Sequence, residues 1–331
     1  MSDTVMNPPA GSMSRGNRSD AIFIAGVIVV GAIAMAQPWL GVSSYFLTLI
    51  YYVAYYLALG QAWNLMSGLT GYVSFSHGAL AGIGAYAVVL SLNGNLPMAL
   101  ALVVAAIATV AASLIIGATA LRLRGTAFTF ATLFFQELVL LLVRKLPFTG
   151  GSSGLILYQI IPVWIAYVMM VTVAVAATIA FALTRRSRLG IRMLAIKGDE
   201  SAAAAIGIDS TRLKIILFCA SAGIAGLVGA VHGIFVATLY PEVIFSVDLS
   251  IVALAVALIG GVGSAAGPIA GAIVYVGLRE IVQVVAPGAH LVIIGLLLLG
   301  IILFLRDGIV PAVGRLVSRK GSRSSTSGRQ S

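Results

Sequence analysis

Apolar runs long enough to cross a bilayer recur along the whole of this 331-residue chain, and one polar, basic island at residues 185–214 interrupts them in mid-chain. In hydrocarbon, backbone N–H and C=O groups must be bonded within the protein, which leaves only helices or a closed barrel. A barrel would show short segments of alternating polarity, whereas the runs here are continuous. Charged residues make up 9% of the chain and hydrophobic ones 60%, far from the roughly one-quarter charged residues of soluble domains. The expected fold class is all-α, a polytopic transmembrane helical bundle.

A spanning helix needs about 20 mainly apolar residues. Such stretches are read at 21–40, 44–66, 73–92, 97–120, 126–145, 160–184, 212–238, 246–262, 268–286 and 289–305, about ten spans in all. Residues 1–20, rich in Ser, Gly, Asn and Pro, read as a disordered cytoplasmic tail, and residues 306–331 as a cytoplasmic basic tail. A competing reading of the first span is a signal peptide, since Arg15 and Arg18 precede an apolar core ending Ala34-Met35-Ala36.

The formal charge of +10 is concentrated in the island and the two tails, the asymmetry expected of basic segments held on the cytoplasmic side. With both termini inside, the loop Arg122-Leu123-Arg124, the island and the C-terminal tail all fall inside, whereas Arg144 and Lys145 fall outside and disagree; they read as paired with acidic groups or as lining an outer vestibule. No aromatics interleave Arg315, Arg319, Lys320, Arg323 and Arg329, so the tail fits contact with anionic lipid and not nucleic acid. Cys219 is the sole cysteine, which excludes disulfides and cysteine metal clusters. His-Glu-x-x-His and Gly-x-x-x-x-Gly-Lys-Ser/Thr are both missing from the sequence. The chain therefore reads as neither an enzyme nor a cofactor protein, and any ATP hydrolysis that drives it belongs to a separate subunit.

An internal echo is visible. Gly71, Val73, Gly78, Ala81, Gly82 and Tyr86 repeat at a constant offset as Gly260, Val262, Gly267, Ala270, Gly271 and Tyr275. Both stretches are Gly-rich interruptions between apolar runs, and paired interruptions point to the central pathway of a transporter. The alternative is chance similarity between Gly-rich helix contacts. The first interruption carries Ser74, Ser76, His77 and Gly78, and the second Gly260, Gly261, Gly263 and Ser264; backbone freed there can meet a polar solute.

Among isolated polar residues, Glu137 sits deep in an apolar run and reads as a pathway residue or, by preference, a hydrogen-bonded clamp between helices. Arg279 and Glu280 read as neutralising neighbours or snorkelling, His232 as packed at a helix interface, and Gln61, Trp63 and Asn64 as polar glue. Gly78/Gly82, Gly229/Gly233 and Gly267/Gly271 have the spacing that brings helix backbones together.

Within the island, Ala202–Ala205 favour helix, Asp199 and Glu200 suit its N-terminal end, and Gly207 suits its stop. A short amphiphilic helix over about 196–207, lying along the membrane face, could seat in a partner's groove. The alternative is an ordinary cytoplasmic loop.

Asp199-Glu200-Ser201-Ala202-Ala203 with Gly207 resembles the Glu-Ala-Ala-x-x-x-Gly loop of ATP-binding-cassette (ABC) importer permeases, with Ser201 where Glu would stand and Glu200 one place early. The blocks Asn64-Leu65-Met66-Ser67-Gly68-Leu69-Thr70-Gly71, Ser76-His77-Gly78, Gly82-Ile83-Gly84-Ala85-Tyr86, Thr149-Gly150-Gly151-Ser152-Ser153-Gly154-Leu155 and Leu258-Ile259-Gly260-Gly261-Val262-Gly263-Ser264, then Gly267-Pro268, resemble the LivM-type branched-chain amino acid permeases. The resemblance covers roughly residues 40–305. It implies a type II-like importer permease of the bacterial inner membrane, with 21–305 as permease domain and 185–211 as a coupling loop touching the ATPase through Asp199, Glu200, Ala202, Ala203 and Gly207. It also implies a homologous second permease, two ABC ATPase subunits and a periplasmic substrate-binding protein. The implied cargo is branched-chain amino acids, with urea, amides and aromatic acids as relatives. The rival reading is a stand-alone secondary transporter or channel that uses Glu137 and His77.

Overall fold

Runs that must bond their own backbones become helices, and the computed structural model shows them. It describes residues 12–41, 43–123 and 125–285 with short pieces at 295–296 and 308–310, and for residues 12–20 the backbone alone. The helices are α1 (Ser12–Ala36), α2 (Ser44–Trp63), α3 (His77–Asn93), α4 (Met98–Ala120), α5 (Thr126–Lys145) and α6 (Val163–Arg186). After these come α7 (Arg188–Gly198), α8 (Glu200–Ala205), α9 (Ser210–Val236), α10 (Pro241–Ile244), α11 (Val247–Gly260) and α12 (Gly267–Val285). Seven helical stretches among the described residues are long and apolar enough to cross a membrane. Two more expected spans are present as helices that differ in character: α2 is rich in tyrosine, and α3 is 17 residues long because it starts only at His77. The span expected at 289–305 and the basic tail lie outside the described residues, the short pieces apart. Residues 12–20, expected in a disordered tail, have helical backbone continuous with α1.

The core forms where small residues let backbones touch. α3 is buried along most of its length and packs on α9, with α4 against both. A Cβ at Gly229 would collide with the carbonyl oxygen of Ala81, and one at Gly84 with that of Gly226. On the other flank α2 packs on α6, α11 and α12, and α1 lies against α6. The island is bonded to residues 64–76, and these to 260–267, at one end of the bundle, the polar end. At the opposite end a two-residue antiparallel ribbon pairs Leu155 with Leu239 and Ile156 with Thr238. There Arg144 Nη2 meets Glu242 Oε1 at 2.8 Å, an acidic partner, which was one of the two readings of its position.

Candidate functional site

The island folds as two helices, not the single helix expected over 196–207. Asp199 breaks the run: its backbone is extended, and its Oδ1 accepts from the N–H groups of Ser201 and Ala202 at 2.8 and 3.0 Å. That satisfies two of the donors that a helix start leaves open. The six-residue α8 ends with Gly207 at φ +82°, its N–H on Ala204 O and that of Ile208 on Ala203 O, a Schellman closure that favours glycine. Ala203 is buried, while Asp199, Ala202 and Gly207 are exposed. Beside them Ile191 and Ile206 are 62% and 76% exposed, leaving apolar surface uncovered among basic residues.

Glu200 turns inward. Its carboxylate accepts from Tyr72 Oη at 2.5 Å, Ser210 Oγ at 2.7 Å and Lys214 Nζ at 2.8 Å. Burial opposes its ionisation, yet the bonds from Lys214, Tyr72 and Ser210 and the Lys214 charge outweigh that and hold its carboxyl at about 2. The Lys214 side chain is 1% exposed and its Nζ lies 4.3 Å from the centre of the Tyr72 ring. Tyr72 belongs to the non-helical loop 71–76, so this cluster ties the island to the first interruption. A second tie joins Lys197 Nζ to Gly68 O at 2.9 Å. Partial burial and the nearby Arg185 charge lower the Lys197 pKa.

Both interruptions meet at the end of α2, where residues Asn64–Gly68 form a π-helical turn. Trp63 Nε1 donates to Ser74 O at 2.9 Å. Asn64 holds the second loop with both amide atoms, Nδ2 on Ser264 O at 2.9 Å and Oδ1 on the N–H of Gly263 at 2.7 Å. Gln61 Nε2 reaches Ala265 O at 2.7 Å. These three residues are the polar glue expected of them. Gly260 and Gly261 are buried at the end of α11, and Ser264 Oγ accepts the N–H of Gly267, the first residue of α12.

Ser74, Ser76 and His77 are fully buried. The two serine hydroxyls bond each other at 2.9 Å. Ser221 Oγ donates to Ala62 O, so it accepts from His77 Nε2 at 2.7 Å, and His77 Nδ1 has no hydrogen-bond partner among the described residues. The N-terminal donors of α3 are met from other helices: Gly78 N–H by Ser250 Oγ and Ala79 N–H by Gln136 Oε1.

Gln136 also donates to Phe245 O at 2.7 Å. It is the clamp between helices, a role that the sequence reading assigned to Glu137. Glu137 instead lies on the exposed face of α5 among exposed Phe130, Phe134, Leu138 and Leu141, because one residue along a helix is a rotation of about 100°. The structure thus brings Ser74, Ser76, His77, Gly78, Gly260, Gly261, Gly263, Ser264 and Glu200 into one connected region and leaves Glu137 outside it. Tyr72, Lys197, Lys214, Gln136, Ser221 and Ser250 were missed. Lys214 alone had a signal, a cation placed inside the apolar run of α9.

Residues 45–302 match the family model described as branched-chain amino acid transport system / permease component. The chain belongs to this family. Two relatives are each named high-affinity branched-chain amino acid transport system permease protein LivM. That of Salmonella typhimurium is 27% identical over 327 aligned residues, covering 88% of this chain and 75% of the relative. That of Escherichia coli K12 is 28% identical over 293, covering 77% and 68%. No solved structure matches. The match to the permease family begins inside α2, so it spans the end of α2, both interruptions and the island.

Proposed function

We propose that this permease is the membrane subunit of an ATP-driven ABC importer that carries branched-chain amino acids, or a related small polar solute, into the bacterial cytoplasm by alternating access. The observation that carries the reading is the wiring of the island: α8 is bonded through Glu200 to Tyr72 of the first broken loop, and α7 through Lys197 to Gly68 of the π-helical turn whose Asn64 holds the second. In this mechanism the polar end is cytoplasmic, both termini lie there, and an ATPase docks on the exposed face bearing Asp199, Ala202, Ile206 and Gly207. The ATPase binds one permease state more tightly than the other, and that difference in affinity drives the switch. Ser74, Ser76, His77, Gly78, Gly260, Gly261, Gly263 and Ser264 act as a gate at the pathway's cytoplasmic end. A carboxylate facing lipid is costly, so the exposed α5 face with Glu137 is turned toward the homologous second permease and the path between the two. Two ATPase subunits and a periplasmic binding protein complete the assembly.

Gly207→Pro tests the reading in the assembled transporter. Proline cannot take the φ of +82° found there, so leucine uptake should fall while ATP hydrolysis continues uncoupled from it. Unchanged uptake per ATP, or a permease that purifies from native membranes with no ATPase, would overturn it.

A further inference from the structure

A cavity of about 570 Å³ lies between α2, α3, α9, α11 and α12, within the size range of small-molecule sites. Tyr52, Tyr55 and Tyr56 wall it from one face of α2 and Tyr275 from α12, with Val252 of α11 beside them. Two opposite charges also line it: Arg279, one turn beyond Tyr275, and Asp248 in the first turn of α11. Arg279 lies with its guanidinium carbon 4.9 Å from the centre of the Tyr52 ring. Among the described residues neither Arg279 nor Asp248 forms an ion pair. Asp248 and Ile251 are exposed at the rim.

A cation and an anion that line one aromatic chamber without forming an ion pair among the described residues match the two opposite charges of a zwitterion. We infer that this cavity binds a zwitterionic α-amino acid with an apolar side chain on its way into the permease. Arg279 takes the carboxylate, since its planar fork matches two carboxylate oxygens. Asp248 and the tyrosine faces take the ammonium, and Val252 and the tyrosine edges take the side chain. The inference rests on the importer reading and narrows it, because urea has neither charge and an aromatic acid has only one.

The test uses proteoliposomes holding the whole transporter, with Val252→Cys in a Cys219→Ser background and Ile251→Cys as a second reporter should the first variant fail to assemble. A hydrophilic thiol reagent is applied without ATP or binding protein. Millimolar leucine should slow labelling several-fold, whereas 4-methylpentanoate, isoamylamine and urea, each lacking a charge, should not. Arg279→Gln and Asp248→Asn should each remove the protection, and Arg279→Lys should keep part of it. Equal protection by 4-methylpentanoate or urea overturns the assignment. Absent protection in vesicles that still accumulate leucine sinks the site and leaves import standing; protection without accumulation supports the site and refutes import.

Discussion

Two neighbouring side chains in α5 show how much a single position decides. Gln136 is buried and bonds Ala79 N–H and Phe245 O, whereas Glu137 points out of the described bundle. Gln136→Leu strands those partners and should cost about 1–3 kcal/mol, while Glu137→Gln should shift stability by less than about 0.5 kcal/mol; thermal unfolding in detergent compares them. Glu200→Gln leaves Lys214 buried with no counter-charge, a loss on the order of 3–5 kcal/mol. The double change with Lys214→Met should recover most of it. The pH dependence has a definite sign. The Glu200 carboxyl is held at about 2 against an ordinary 4.5, so its contribution is complete above about pH 4.5 and is lost as pH falls toward 2. The unfolding midpoint should therefore be insensitive to this group between pH 5 and 8, and Glu200→Gln should flatten the acid limb.

Between elements, contact distance is set by what glycine omits. α3 and α9 approach until the backbone of Ala81 occupies the space of a Cβ at Gly229. Gly229→Ala must push the helices apart, a strain of about 1–3 kcal/mol or more. Gly277, also helical, has nothing within 4 Å of a Cβ, so Gly277→Ala should be neutral or raise stability by up to about 1 kcal/mol. Melting the two variants side by side checks that packing and not helix propensity governs the α3–α9 pair.

For the molecule as a whole, the Glu200 cluster and the Lys197–Gly68 bond tie the island to the first broken loop and to the π-helical turn before it. If motion passes through them, Glu200→Gln with Lys214→Met should fold yet transmit poorly. Allosteric couplings of about 1–3 kcal/mol correspond to 5–150-fold effects, so leucine taken up per ATP hydrolysed should drop by roughly that factor. Uptake per ATP equal to that of the native transporter would show that coupling runs by another route.

Periodicity and length alone determined the helical membrane class, the position of the island, the stop at Gly207 and the two interruptions, because hydrocarbon imposes local backbone bonding and glycine imposes local conformation. They were silent on which polar residue faces inward. A helix turns by about 100° per residue, so the choice between Gln136 and Glu137 depends on the direction from which neighbouring helices approach. The same holds for Glu200, which the family resemblance implied to be a docking residue and whose carboxylate is turned inward by packing, onto Tyr72, Ser210 and Lys214. It holds too for Tyr52, Tyr55, Tyr56, Asp248, Tyr275 and Arg279, scattered over three helices in the sequence. Only the folding of α2, α11 and α12 against one another makes them the lining of one cavity.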